Sequence, residues 1–179
     1  MHPEPELLLA TPRFRVVRHI ERLADGALHA RETVVHPGAV AILPILDDGR
    51  VCLIRNYRVA VDEELIELPA GTIDPGEDPL ATARRELAEE TGYRAERFER
   101  LHEFWISPGI LNERMHLFLA TGLTAGPASL QEGERIRTLL VAWDEALAMV
   151  ADRRIRDAKT LFGLLYYERV RREMSDDER

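Results

Sequence analysis

The sequence predicts a mixed α/β (α+β) fold, in which strands and interspersed helices enclose one core. Runs rich in Val, Ile and Leu recur between residues 13 and 142, and segments with helical periodicity lie between and after them. With 179 residues, 45% of them hydrophobic and 31% charged, the chain is long enough to bury such a core. We expect a main domain over residues 38–179, preceded by an N-terminal extension of antiparallel strands over residues 1–37.

The N-terminal extension contains two predicted strands, residues 13–20 and 28–35, which are both rich in strand-forming residues. Ala24-Asp25-Gly26 lies between them, and Asp-Gly is a frequent hairpin turn. The pattern therefore predicts a small antiparallel unit at the start of the chain.

A second hairpin is predicted by the strongest strand signals in the chain. Residues 39–46 and 50–57 are rich in aliphatic side chains, and the turn sequence Asp47-Asp48-Gly49 separates them. We expect these two strands to pair with each other. A short strand over residues 64–68 follows and ends at Pro69.

The next element is a predicted helix with an acidic flank. Asp78 suits the N-cap, Pro79 the first helical position and Gly92 the residue just past the end. The helix would span roughly three and a half turns. One face of the helix is an apolar stripe of Leu80, Ala83, Leu87 and Thr91. The adjoining face, the acidic flank, consists of Thr82, Glu86, Glu89 and Glu90.

Strands and helices alternate less regularly in the remainder of the chain. Strands are predicted over residues 98–106, 114–123 and 136–142, and helices over residues 144–152 and 157–172. The turn Ser107-Pro108-Gly109 separates the first two of these strands. The last helix is predicted from the i, i+3, i+4 spacing of its apolar side chains.

The glutamates of the acidic flank are placed unfavourably for a helix without a ligand. Glu86 and Glu90 are four residues apart and repel each other, and the helix dipole disfavours anions in the C-terminal half. A bound divalent cation would make both interactions favourable. The alternative is a solvated acidic face that Arg84 and Arg85 partly neutralise.

The spacing of this segment resembles the signature of the Nudix hydrolase family. Gly71 is followed after five residues by Glu77 and after seven more by residues 85–92, which read Arg-Glu-Leu-Ala-Glu-Glu-Thr-Gly. Tyr93 is the one departure, because the family more often has an aliphatic residue there. The resemblance implies a mixed sheet sandwiched between helices, and an enzyme that hydrolyses a diphosphate bond.

Two further segments are similar to the ADP-ribose pyrophosphatase subfamily. They are Ser107-Pro108-Gly109 with Glu113 four residues later, and residues 54–58 leading to residues 67–71. The subfamily commonly has Gln in place of Asn56. The resemblance implies cleavage of ADP-ribose to AMP and ribose 5-phosphate, and a homodimer in which the N-terminal strands exchange between subunits.

Metal ligands follow from the same resemblance. It implies that Glu86, Glu90 and the carbonyl of Ala70 bind the metal, with Glu89 in contact with it or just outside. Hard cations prefer oxygen ligands, and the chain has no Cys/His cluster for zinc, so Mg²⁺ is expected and Mn²⁺ is possible. Structural roles are expected for Gly71, Glu77, Arg85 and Gly92, and Arg85 is expected to pair with Glu77 or another carboxylate, for which its planar guanidinium suits a bidentate contact.

In similar ADP-ribose pyrophosphatases a glutamate of the loop before the last strand helps to activate water, so the resemblance implies such a carboxylate here. Glu134 fits best by its spacing and Glu132 is the alternative, and either could be a simple turn residue. Candidate substrate-binding residues are Arg55, Arg58, Pro108 and Glu113, with surface salt bridges as the alternative for the two arginines.

Composition excludes several other classes. A net charge of −8 and a pI near 5.3 argue against non-specific binding to nucleic acid, and no apolar run is as long as a membrane span. The only cysteine, Cys52, lies in an apolar run, which indicates a buried thiol in a cytoplasmic protein. Three alternatives remain open: a pyrophosphatase for another nucleotide sugar such as GDP-mannose, a sensor that binds ADP-ribose without cleaving it, and a protein whose acidic helix is only an interaction surface.

Overall fold

The computed structural model describes residues 4–131 and 133–177, and within them the chain forms ten strands and three helices. The strands are β1 Glu6–Ala10, β2 Arg15–Arg22, β3 Leu28–Val35, β4 Ala39–Pro44, β5 Val51–Arg58, β6 Glu63–Glu67, β7 Ala70–Thr72, β8 Tyr93–Trp105, β9 Arg114–Ala125 and β10 Ile136–Val141. The helices are α1 Pro79–Thr91, α2 Trp143–Ala151 and α3 Ala158–Asp177. None of the described helices is long and apolar enough to cross a membrane.

The strands form three sheets, and the largest of them is the mixed sheet on which the predicted fold class depends. The orders are β1-β2-β3, β10-β5-β6 and β7-β4-β9-β8. Strands β4 and β9 run parallel, whereas the other pairs are antiparallel, so the four-stranded sheet is mixed. The predicted mixed α/β architecture is confirmed.

Strand β4 lies at the centre of this architecture and is completely buried. Its odd-numbered side chains, from Ala39 to Leu43, pack with Ala146 of α2 and Leu164 of α3. Its even-numbered side chains, Val40 and Ile42, pack with Ala83 and Leu87 of α1. Successive side chains of a strand point to opposite faces, so the sheet lies between α1 on one side and the C-terminal helices on the other.

The predicted pairing of the two aliphatic strands is wrong. Strands β4 and β5 belong to different sheets, and the backbone pairing of these segments is limited, among the described residues, to the bridge between Ile45 and Val51 and the hydrogen bonds of the turn from Leu46 to Arg50. Strand β4 instead pairs with β7 on one edge and with β9 on the other. Both edges of β4 are therefore occupied, and β5 lies between β6 and β10 in a separate sheet and pairs with both.

The N-terminal hairpin was predicted correctly and is larger than expected. Strands β2 and β3 pair in register over their full lengths, and Gly26 in their turn has a φ of 84°. Strand β1 adds a third strand that the sequence pattern did not reveal. Strand β7 was also missed, because three residues are too few to show an alternating pattern.

Candidate active site

Helix α1 is fixed at both ends by the residues that the sequence singled out. The Asp78 carboxylate accepts a hydrogen bond of 2.9 Å from the Leu80 amide, and Pro79 opens the helix. Gly92 ends it with a φ of 76°, and its amide donates to the Ala88 carbonyl. These caps fix the direction in which the acidic flank of α1 faces.

The acidic flank is buried, so its description as a solvated face is wrong for two of its three glutamates. Glu86 and Glu90 are only 6% and 4% exposed, whereas Glu89 is half-buried. They face β7, where the amide of its first residue, Ala70, donates a 2.9 Å hydrogen bond to the Glu90 carboxylate. The flank of α1 is therefore an interior wall of the site.

Burial makes both carboxylates weaker acids than usual. Burial raises the pKa of Glu90 to about 8, and the charges of Glu86 and Glu134 act in the same direction. The Ala70 amide and the charge of Arg58 oppose the rise. The pKa of Glu86 is also raised, again mainly by burial. Such a site has a high affinity for positive charge.

Gly71 is required by the close approach of Glu86 to the backbone. A Cβ atom at this position would lie 1.9 Å from Cδ and 2.0 Å from Oε1 of Glu86. Any side chain on residue 71 would displace the carboxylate. The glycine that begins the motif thus creates the space for one of its glutamates.

Arg85 links the loop before α1 to the acidic flank. Its Nε and Nη2 atoms donate to the two carboxylate oxygens of Glu77, at 3.2 and 3.0 Å, so the expected bidentate contact is present. Its Nη1 atom donates to Glu86 at 2.6 Å and to Glu89 at 3.3 Å. The guanidinium lowers the pKa of Glu77 to about 2, and its own pKa is raised.

The donor set suits a hard divalent cation that completes its coordination with other oxygens. No group of three acidic, histidine or cysteine side chains converges as a ready-made metal site within the described residues. The expected ligands nevertheless supply oxygen atoms from Glu86 and Glu90, which are buried and have raised pKa values. Buried carboxylates of this kind fit Mg²⁺ or Mn²⁺, which retain water and substrate ligands.

The candidate water-activating residue Glu134 lies close to the same flank. Its charge contributes to the raised pKa values of Glu86 and Glu90. Its carboxylate accepts a 2.8 Å hydrogen bond from the Gln131 amide, and the Gln131 side chain donates to Glu89. The alternative residue, Glu132, lies outside the described residues.

The two candidate arginines of β5 are both paired with acids. Arg58 makes a bidentate contact with the completely buried Glu67. Arg55 contacts Glu64 at 3.4 Å, and Glu64 lines a cavity of about 370 Å³ together with Glu134. Of the two, Arg58 is close enough to the acidic flank for the charge of Glu90 to raise its pKa, after the larger effect of Glu67. The sequence analysis did not identify Glu67 as its partner.

Pro108 and Glu113 belong to a loop that contacts the N-terminal sheet. Val34 exchanges backbone hydrogen bonds with residues of this loop, and Glu113 lies 3.9 Å from the His36 ring. His36 lines a cavity of about 450 Å³ between the N-terminal sheet and the loop before α1. Glu113 thus lies beside His36, just after β3, and within the described residues no hydrogen bond or ion pair joins it to the acidic flank.

Comparisons with known proteins agree with the motif. A family model described as the NUDIX domain matches residues 35–162. An ADP-ribose pyrophosphatase of Bacillus subtilis is 38% identical over 148 residues, which cover 82% of this chain and 80% of that protein. A methanol dehydrogenase activator of Bacillus methanolicus is 40% identical with the same coverage, and a GDP-mannose pyrophosphatase of Klebsiella pneumoniae is 36% identical over 81% of this chain and 79% of that protein.

A solved structure shows the same fold. The crystal structure of an ADP compounds hydrolase superposes with a TM-score of 0.85 and covers 97% of this chain and 95% of its own. Its sequence identity is 23%, so this likeness concerns the fold alone.

Proposed function

The chain belongs to the NUDIX family, and from that premise we propose that it hydrolyses the diphosphate bond of ADP-ribose to AMP and ribose 5-phosphate. Two of the relatives, from Bacillus subtilis and Mycobacterium tuberculosis, are named ADP-ribose pyrophosphatase. The motif with Pro108 and Glu113, which resembles that subfamily, supports the same substrate.

The burial of Glu86 and Glu90 against the Ala70-Gly71 backbone is the observation that carries this proposal. Two carboxylates on neighbouring turns of one helix repel each other, and each loses its hydration when buried. A protein that only needed a stable helix would gain by replacing them. A site that must hold a divalent cation next to a diphosphate requires them.

The proposed metal ligands are Glu86, Glu90 and the carbonyl of Ala70, with Glu89 at the edge of the site. A bound Mg²⁺ or Mn²⁺ would neutralise part of the negative charge of the diphosphate and lower the pKa of a bound water molecule. Arg85 and Glu77 keep the loop and the helix together, so the glutamates retain their places.

The remaining residues of the site bind substrate and transfer a proton. Glu134, or Glu132 as the alternative, orients a water molecule and accepts its proton as the oxygen attacks phosphorus. The bond from that phosphorus to the bridging oxygen breaks, and the two monophosphates leave. Arg58 and Arg55 contact the phosphates or the ribose, and Pro108 and Glu113 bind the substrate from the loop that contacts the N-terminal sheet.

We also propose a homodimer formed through residues 1–37. Strands β1, β2 and β3 make a sheet of their own, and one of its faces carries the exposed apolar side chains of Leu9, Ile20 and Leu28. An exposed apolar sheet face is typical of a surface that a partner covers. A second copy of this chain is the proposed partner.

Turnover of nucleotide sugars tests the proposed activity. The purified protein is incubated with Mg²⁺ and ADP-ribose, GDP-mannose or other nucleotide sugars, and phosphate is measured after phosphatase treatment. ADP-ribose is expected to be the preferred substrate, and Glu90→Gln is expected to lower kcat on the order of 100-fold or more. Glu99→Gln, a change at an exposed glutamate of β8, is the matched control and leaves turnover unchanged.

The same measurements distinguish the alternatives. Preferred turnover of GDP-mannose would assign the chain to the specificity of its GDP-mannose pyrophosphatase relatives. Binding of ADP-ribose without turnover by the wild-type protein would identify a sensor. Equal activity of Glu90→Gln and the wild type would contradict the role of the acidic flank.

A further inference from the structure

A chain of alternating charges joins β5 to the start of α3. Glu67 is completely buried, and both of its carboxylate oxygens accept hydrogen bonds from Arg58, at 2.8 Å from Nε and 2.6 Å from Nη2. Lys159 approaches Glu67 from α3, with its Nζ atom 2.7 Å from Oε2. The same Nζ atom lies 2.9 Å from Asp157. The two central charges, Glu67 and Lys159, thus each lie between two partners of the opposite sign.

The start of α3 also holds the backbone next to the site. Asp157 accepts hydrogen bonds from the amide and the hydroxyl group of Thr160, at 3.0 and 2.6 Å, and so caps the helix. The Thr160 hydroxyl in turn accepts a 2.8 Å hydrogen bond from the Leu68 amide. Leu68 lies two residues before Ala70, whose carbonyl is a proposed metal ligand. The network therefore borders the site without belonging to its acidic flank.

The Arg58 guanidinium has one edge bound to Glu67 and one edge without a hydrogen bond to the described residues. Two of its nitrogen atoms bind Glu67, whereas Nη1 makes no hydrogen bond within the described residues, and the side chain is 42% exposed. The negative charge of Glu90 contributes to the raised pKa of Arg58, after the larger effect of Glu67, so the guanidinium lies beside the acidic flank. The Glu67 carboxylate, which holds Nε and Nη2, therefore sets the direction of the edge of the Arg58 guanidinium that carries Nη1.

We propose that Lys159 is a positioning residue, which holds the Glu67 carboxylate so that Arg58 presents its free edge to the diphosphate of the substrate. This inference rests on the proposed function, because it names what orients one of its substrate-binding residues. Without the ammonium group, Oε2 of Glu67 loses a partner and the buried carboxylate is free to rotate towards other donors. A bidentate contact tolerates little rotation, so the direction of Arg58 would change with it.

Lys159→Met tests this role, because it removes the charge and keeps most of the aliphatic stem. We expect the KM for ADP-ribose, and the Kd for its α,β-methylene analogue, to rise roughly tenfold, with kcat changed less than about twofold. Lys159→Arg keeps the charge and is expected to restore most of the affinity. Arg156→Met is the matched control, because Arg156 joins the same region to Glu63 of β6 through an exposed ion pair that does not involve Arg58.

A double-mutant cycle separates positioning from general stability. In an Arg58→Met background, Lys159→Met should cause no further rise in KM or Kd, because the residue through which it acts is absent. An NMR signal of the Arg58 Nε–H group, assigned with Arg58→Met, gives a readout without ligand. We expect this signal to shift in Lys159→Met and to stay unchanged in Arg156→Met.

Several outcomes would overturn the inference. They are an additive effect of Lys159→Met in the Arg58→Met background, an unchanged Nε–H signal, or a fall in kcat with an unchanged KM. If Lys159→Met does not fold, the double variant Glu67→Gln with Lys159→Met, which is neutral at both positions, takes its place. This double variant must fold and show the same rise in Kd. Failure of both variants to fold would show that Lys159 has a purely structural role. Absence of any binding or turnover by the wild type would contradict the proposed function, whereas the Nε–H signal would still decide the orientation of Arg58.

Discussion

The position of the Glu86 carboxylate in the acidic flank depends on the absence of a side chain at Gly71. Gly71→Ala would place a methyl group within 2.0 Å of two atoms of the Glu86 carboxylate. We expect this variant to lose on the order of 1 to 3 kcal/mol of stability and to lower kcat at least about tenfold, since Glu86 must move. Thermal unfolding and turnover of ADP-ribose measure the two effects.

Gly109 provides the matched control for stability. A Cβ atom there would meet no other atom within 4 Å, and its backbone is not in the left-handed region. Gly109→Ala should therefore change the free energy of unfolding by less than about 0.5 kcal/mol. Equal stabilities of the two variants would contradict the close approach of Glu86 to the backbone.

The ion pair between Glu77 and Arg85 predicts a dependence of stability on pH. The pKa of Glu77 falls from 4.5 to about 2 in the folded protein, first because of Arg85 and further because of Thr82 and the Asp74 amide. A lowered pKa stabilises the folded state above the ordinary pKa, and this contribution disappears as the pH falls towards the folded value. Glu77→Gln should therefore cost about 1 to 3 kcal/mol at pH 7, since the carboxylate is mostly shielded from solvent.

Chemical denaturation of both proteins between pH 7 and pH 2 checks this expectation. The difference in unfolding free energy should be constant down to about pH 4.5 and should then shrink towards pH 2. A difference that stays constant over the whole range would show that packing, and not charge, is lost in Glu77→Gln.

Local sequence determined some contacts at the residue scale and could not determine others. The contact between Arg85 and Glu77 was predictable, because the two residues are eight positions apart and are joined by a short loop and helix. The contact of Lys159 with Glu67 spans 92 positions, and no local pattern indicates that either charge is buried. The sequence therefore indicated the supporting pair that lies close along the chain, Arg85 and Glu77, and missed the pair that lies far apart, Lys159 and Glu67.

The same contrast holds for whole elements. Helix α1 was predicted with both caps, because capping depends on residues within one turn of the helix ends. The pairing of β4 was predicted wrongly, because its partners β7 and β9 lie far along the chain and a short turn at Gly49 imitates a hairpin. Strand pairing depends on which edges remain available in the assembled sheet, and an isolated segment does not carry that information.

Gly92 tests how α1 is held against its surroundings. Gly92 and Gly49 have similar φ values, 76° and 81°, but a Cβ on Gly92 would lie 2.3 Å from the Gly126 carbonyl oxygen. A Cβ on Gly49 would meet no atom within 4 Å. We expect Gly49→Ala to cost about 1 kcal/mol for its backbone conformation, and Gly92→Ala to cost a further 1 to 3 kcal/mol, approximately, for the clash.

Urea denaturation of the two variants measures the difference. Because the backbone penalty is common to both, the excess for Gly92→Ala reports the packing of the helix end against residues 126–128. Equal losses of stability would show that this segment moves aside at little cost.

At the scale of the whole molecule, the central sheet is covered on both faces and the N-terminal sheet is not. Strand β4 is buried between α1 and the C-terminal helices, whereas β1 is exposed along its full length. The N-terminal sheet is joined to the rest of the chain through Val34, which bonds to Ile110 and Asn112. The loop with Pro108 and Glu113 is therefore placed by the same sheet that we propose to form the dimer.

The proposed dimer predicts a change of mass on disruption of this sheet face. Wild-type protein at micromolar concentration should sediment at twice the 20.4 kDa of one chain, and Leu9→Glu should sediment as the monomer, because a charge at a half-exposed leucine opposes burial. Leu165→Glu, a change at an exposed leucine of α3, should remain dimeric. A monomeric wild type would contradict the dimer, and a dimeric, folded Leu9→Glu would place its interface elsewhere.

If the N-terminal sheet completes the substrate site of its partner, Leu9→Glu should also raise the KM for ADP-ribose, whereas Leu165→Glu should not.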